Sequence, residues 1–262
     1  MKRRLPPLNR PESKPALTLD RLLSRYGSAS RSTARELIQK GRVRVNGRVT
    51  RDPECWVRPS KDLVELDGQR LRPERKVYLL FYKPKGVIVS HGDPGGRKTI
   101  YDYLGEEGRW VSPVGRLDKD TSGLILVTND TAFGHFVTNP ESGVPKTYLV
   151  KVSGLMDDET LARLRAGVQM KRGDRAQPLS VRRLEDRGKY TWLEVVLTEG
   201  KNREVRRMIE AVDFKVLKLV RTAIGALTLA GLEVGRFRTV ARQEIDALRR
   251  CRVPRASRMP PS

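Results

Sequence analysis

Asp118 and Asp120 stand two residues apart in the stretch VGRLDKDTSGLIL (residues 114–126), beside Arg116 and Lys119 and ahead of an apolar run. In an extended segment two such carboxylates share a side. Neighbouring cations favour the ionised form, which suits a nucleophile or a base and not a proton donor. A glycosidase-like pair would need one carboxyl held protonated, and no partner Glu motif accompanies these two. The competing reading is a solvated charged loop before a strand, the usual fate of a charge run. The stretch alone favours that surface loop.

Two further clusters carry groups of chemical interest. In TEGKNREVRRMIE (residues 198–210), Val205, Met208, Ile209 and Val212 fall on one helical face, with Gly200 as a strand end and Asn202 as the helix N-cap. Arg206 borders that apolar stripe, where a guanidinium fork can orient a carboxylate. Lys201, Asn202, Arg203 and Arg207 read as RNA-facing. In PKTYLVKV (residues 145–152), period-two alternation puts Tyr148, Val150 and Val152 on one face and Leu149 and Lys151 on the other. Tyr148 is then either core or an aromatic plane on which a base can stack.

Other chemistries are excluded. GDPGGRKT (residues 92–99) has Arg97 where a phosphate-binding loop needs Gly before Lys-Thr, and no GxGxxG follows a strand. Cys55, Cys251, His91 and His135 show no zinc-ligand spacing. The two distant cysteines form no disulfide framework, which fits a reducing cytoplasm. Catalysis, if any, must rest on Asp, Glu, Lys, Arg, Tyr, Ser or Thr.

The chain has 262 residues and a formal net charge of +22, which argues for a polyanionic partner. No segment reaches the ~18 apolar residues of a spanning helix, so no membrane is expected. The start has cations but no apolar signal core and reads as a disordered basic arm over residues 1–16. LTLDRLLSRYG supplies a helix from Thr18 as N-cap to Gly27 as stop. SRSTARELIQKG supplies a second, capped at Ser30, Ser32 or Thr33 and ended by Gly41. Asn46-Gly47 marks a hairpin in RVRVNGRVTR, and residues 62–71 continue in strand-like alternation. Residues 17–71 thus form a small αα–β module. Arg31, Arg35, Lys40, Arg42, Arg44 and Arg48 give it a cationic face, with few acids between them, as in phosphate-contacting modules. A linker at residues 72–76 leads to a larger unit of mixed strands and helices over residues 77–248. A basic, Pro-rich tail follows over residues 249–262.

Taken together, these pieces resemble the RsuA-type family of rRNA pseudouridine synthases. SRSTARELIQKGRVRVNGRVT resembles an S4-like RNA-binding domain. YKPKGV, PVGRLDKDTSGLILVTND, KTYLV, EGKNREVRRM and LVRTAIGALTL then follow in the family's order. The resemblance implies an α+β fold, with the S4-like module tethered to a catalytic domain on a mixed, largely antiparallel sheet. It makes Asp118 the essential aspartate and leaves Asp120 a local turn role. It implies that Tyr148 stacks on the target uracil, that Arg206 pairs with Asp118, and that Arg116 enters the RNA stack near the flipped base. Glu204 stands where the family often has Gln and is expected to add a negative charge beside the arginines. Conversion of uridine to pseudouridine is an isomerisation, so neither cofactor nor metal is implied. The implied partner is ribosomal RNA, 23S over 16S, naked or in pre-ribosomal particles, with the enzyme a cytoplasmic monomer acting in ribosome biogenesis. A non-catalytic assembly factor would have no use for a carboxylate near RNA. A methyltransferase would need a glycine-rich cofactor loop after a strand, and none is visible.

Overall fold

A computed structural model describes residues 16–26, 30–59, 61–72, 75–108, 111–170, 173–251 and 253. The chain divides into two compact units, Met1–Arg75 and Lys76–Ser262. The expected basic arm up to residue 15, the Gly27 helix stop, residues 73–74 of the linker, and residue 252 and the tail from 254 onward lie outside the described residues.

The first unit opens with helices α1 (Leu19–Arg25) and α2 (Arg31–Gln39). Ser30 caps α2, its hydroxyl accepting the Thr33 N–H at 3.2 Å. Strands β1 (Val43–Val45) and β2 (Arg48–Thr50) meet at Asn46-Gly47, whose φ values of 51° and 81° are those of a type I′ turn. Residues 62–71 are not one strand. They fold as a second hairpin, β3 (Val64–Leu66) and β4 (Gln69–Arg70), because Asp67-Gly68 also adopts two positive φ angles. The sheet order is β2-β1-β3-β4, and Leu19, Leu22, Leu23, Ala34, Ile38 and Val43 fill the core against it.

The second unit is built on one sheet. Its elements in chain order are β5 (Tyr78–Lys83), α3 (Tyr101–Leu104), β6 (Ser122–Thr128), α4 (Thr131–Thr138), β7 (Lys146–Ser153), α5 (Asp158–Ala166), β8 (Ser180–Arg187), β9 (Tyr190–Leu197), α6 (Glu204–Glu210), β10 (Val216–Ile224), β11 (Phe237–Thr239) and α7 (Arg242–Arg250). The strand order is β8-β9-β7-β10-β6-β5-β11. Every neighbouring pair is antiparallel except β10 with β6, so the sheet is mixed and largely antiparallel, as expected.

The strand sequences follow from what covers them. β6 is an unbroken apolar run because both its faces are buried: Leu124 and Leu126 pack with Phe133, Val137, Ile245 and Leu248, while Ile125 and Val127 pack with Ile100, Leu104 and Val111. β7 and β9 alternate, one face of each lying under α5 and α6 through Val150, Val152, Leu193 and Val195. Arg249 and Arg250, expected in the tail, form the last turn of α7. Buried Ile245 and Leu248 anchor that helix, and cations suit its carboxyl end.

Gly123 sits where β6 meets β10. It lies inside β6, paired across the parallel contact with Arg221 of β10. Its φ is 118°, and a Cβ there would lie 2.3 Å from the Arg221 carbonyl oxygen and 2.5 Å from its nitrogen. Only glycine lets the two backbones meet. Gly123→Ala should therefore destabilise the second unit by about 3 kcal/mol, the sum of φ strain and forced separation of strands. Chemical denaturation followed by circular dichroism measures it, and a loss under about 0.5 kcal/mol would show that the strands part easily.

Candidate active site

The loop carrying Asp118 is held from beneath by Lys83. This ammonium is 0% exposed at the end of β5. It donates to the carbonyls of Pro84 at 2.9 Å and Thr121 at 2.8 Å, with that of Lys119 3.5 Å away. Burial lowers its pKa to about 8, opposed by the nearby carboxylates of Asp118 and Asp120. The Gly86 N–H donates to the Lys119 carbonyl at 2.8 Å, and the Thr121 N–H closes a turn onto the Asp118 carbonyl at 3.1 Å. The KPKG break in an otherwise apolar strand is thus a seat for the aspartate loop. Sequence reasoning passed over Lys83, although it shares the face of Leu79 and Phe81, both buried.

Arg206 clamps the same loop from α6. Its Nη2 donates to the Asp120 carbonyl at 3.1 Å and lies 3.5 Å from the Thr121 hydroxyl. Burial pushes this guanidinium below its usual range, Arg203 adds repulsion, and Asp118, Asp120 and Glu210 act the other way. The expected Arg206–Asp118 ion pair is replaced: the carboxylate pairs with Arg203, Nη1 to Oδ2, at 3.6 Å. Asn202 is not the N-cap of α6; Arg203 is, in a left-handed conformation (φ 49°, ψ 33°). Asp120 is exposed in the turn, in keeping with a local role.

Of these groups, Asp118 and Arg203 line a cleft of about 570 Å³ in the second unit. Asp118, half-buried, and exposed Arg116 lie on one wall, and Lys201, Asn202 and Arg203 on the other. Tyr148 and Arg221, cross-strand partners on β7 and β10, also line it. Tyr148 is 8% exposed, so it is both core and cleft surface. Arg221 was not singled out from sequence. Among the described residues no group of three His, Cys, Asp or Glu is placed to hold a metal ion.

Glu204 is also in the lining and 3% exposed. Its Oε2 accepts the Lys201 N–H at 3.0 Å while its own N–H reaches the Lys201 carbonyl at 3.2 Å, which closes the turn presenting Arg203. Burial, with the carboxylate of Glu199 nearby, raises its carboxyl to about 8. Burial thus opposes the expected negative charge, and in its protonated form the carboxyl offers one donor and one acceptor, as Gln does.

The predicted RNA-contacting cations divide into engaged and free. Arg207 holds Asp174 through two hydrogen bonds of 2.9 and 3.1 Å, and Lys201 pairs with Glu199 at 3.1 Å. In the first unit, Arg31 and Arg35 both reach the buried Asp20, at 3.3 and 3.1 Å. Burial alone would raise that carboxyl, but hydrogen bonds from Thr18, Arg35, Arg31 and the Arg21 N–H hold it at about 2. Arg42 is bidentate on Asp67, and Lys40 is 3.9 Å from Glu36. Arg44 and Arg48 are exposed on the hairpin, without an ion pair among the described residues.

An S4-type module and a mixed sheet with an aspartate–arginine cleft define an RNA-acting protein class, and comparison places the chain within it. Residues 77–211 match the profile of the RNA pseudouridylate synthases, and residues 17–63 that of the S4 domain. The chain is 39% identical to the ribosomal large subunit pseudouridine synthase B of Bacillus subtilis, over 88% of this chain and 95% of that one. It is 38% identical to the protein of the same name from Yersinia pestis, over 80% and 68%. A crystal structure of a pseudouridylate synthase superposes with a TM-score of 0.64 at 27% identity, covering 88% of this chain and 99% of that one. The chain belongs to the RNA pseudouridylate synthase family and is an isomerase acting on RNA.

The buried acid gives a pH signature. Glu204 titrates at about 8 in the folded protein against an ordinary 4.5. Between those values the folded state holds more protons than the unfolded chain, so stability falls as pH rises through that window. Glu204→Gln has no proton to lose. Its Tm, followed by circular dichroism from about pH 5 to about pH 8, should fall less steeply than that of the unaltered protein. Equal slopes would place the titrating group elsewhere.

Proposed function

We propose that this protein isomerises one uridine of large-subunit ribosomal RNA to pseudouridine, with Asp118 as the catalytic carboxylate. The observation that carries the reading is the meeting of Asp118 and Arg203 in a cleft that Tyr148 also lines. The reaction breaks the N1–C1′ bond, turns the uracil and forms C5–C1′, with no redox change. It needs a carboxylate at the ribose, acting as nucleophile or base, and a hold on the detached ring. Tyr148 provides the plane, Arg203 orients the carboxylate, Arg206 fixes the loop backbone, and Arg116 at the rim enters the RNA stack. Extruding the nucleotide costs a few kcal/mol. The S4 module and the exposed cations offset it through phosphate contacts. The names of the Bacillus subtilis and Yersinia pestis relatives support a large-subunit substrate.

The working form is a cytoplasmic monomer acting on ribosomal RNA or on pre-ribosomal particles. Incubation with rRNA alone separates it from a methyl-transferring enzyme, since isomerisation needs no donor.

Asp118→Asn should bind rRNA with the affinity of the unaltered protein and form no pseudouridine in a single-turnover assay; turnover by that variant rejects the assignment. At Tyr148, Phe retains the ring and should keep RNA affinity within about threefold, whereas Ala loses a stacking contact of about 1–3 kcal/mol. Equal affinities for the two variants would remove Tyr148 as a stacking plane.

A further inference from the structure

Arg221 is 5% exposed on the wall of the cleft, yet its guanidinium makes one hydrogen bond, from Nε to the Leu124 carbonyl at 2.7 Å. Nη2 is buried without a partner. Among the described residues no carboxylate lies within 4.0 Å of it. A buried lysine in this position could shed its charge, but arginine cannot. An unpaired buried cation is strongly unfavourable, and since no described residue supplies the missing acceptor, the position suits one brought by a ligand. The fold goes to some length to place it. The Nε bond sets the plane of the fork, and β10 runs against β6 only because Gly123 allows the backbones to touch.

We infer that Arg221 reads the target base by donating a free terminal N–H to the O4 carbonyl oxygen of uracil. This rests on the reading of the cleft as the uridine site. Tyr148 is the cross-strand neighbour of Arg221 on β7, so a ring lying on Tyr148 turns its edge toward β10. Uracil presents two carbonyl acceptors on its edge; cytosine replaces one of them with an amino donor. A guanidinium here would therefore accept uracil and leave cytosine with donor facing donor. Depth argues for the base over the phosphate. The cations at the rim, Arg116, Lys201 and Arg203, are exposed, whereas Arg221 is not. The residue is a specificity determinant, distinct from the Asp118 loop.

The test uses the full chain and an rRNA fragment holding the mapped target as uridine, 2-thiouridine or 4-thiouridine, sulfur being a weak acceptor. With the unaltered protein, 2-thiouridine should leave the rate of single-turnover pseudouridine formation within about threefold, and the 4-thio substitution should slow it roughly tenfold or more. With Arg221→Lys and Arg221→Met, each checked for folding by circular dichroism, that substitution should change the rate by less than about threefold. An equal penalty in protein and variants overturns the proposal. So does coupling found only with methylphosphonates flanking the target, which would make phosphate the acceptor. If both variants unfold, the unaltered protein decides, and a 4-thio substrate reacting as fast as uridine overturns the proposal. No pseudouridine from unmodified RNA would instead sink the functional reading beneath it.

Discussion

A lysine ammonium with no access to water holds the loop that carries Asp118. Burying a cation is costly, and Lys83 offsets the cost by donating to loop and turn carbonyls that would otherwise be left without partners. Arg206 does the same from the opposite side through the Asp120 carbonyl. Two cations are thus used on backbone, which leaves the carboxylate of Asp118 to a third, Arg203. That division fixes the loop by main-chain contacts while Asp118 faces the cleft. A buried side chain closes a backbone turn again at Glu204, whose Oε2 accepts the Lys201 N–H behind Arg203.

The excess of positive charge is organised and not spread evenly. Asp20 gathers two arginines of α2, Asp67 takes Arg42, and Asp174 takes Arg207. Such pairs are half-exposed and add little to stability, but they limit the rotamers of long side chains. Arginines held in this way still present N–H groups to a phosphate, and they do so with less ordering to complete on binding.

Much of this arrangement is legible in the sequence, because it depends on local periodicity. The alternation around Tyr148 sets its face, the stripe of Val205, Met208 and Ile209 sets α6, and Asn46-Gly47 sets a hairpin. The Asp67-Gly68 turn carried an equally local signal and was hidden by the regular alternation around it. What periodicity could not decide was which arginine meets Asp118. Arg203 and Arg206 differ by less than one helical turn, too little for a periodic pattern to separate them. Lys83, Glu204 and Arg221 share another difficulty. Charged residues are ordinarily assigned to the surface, and Lys83 and Arg221 meet partners, Thr121 and Leu124, that are distant in sequence.

The position of β10 in the sheet has a bearing on when the enzyme becomes active during its synthesis. Residues 216–224 insert between β7 and β6, which are otherwise separate, so the strands carrying Tyr148 and following Asp118 have no contact in the sheet until β10 arrives. A nascent chain still short of that strand, or one cut before it, has its aspartate loop but lacks the joint between the cleft's two halves. Completion of the cleft therefore waits on a strand that lies late in the chain.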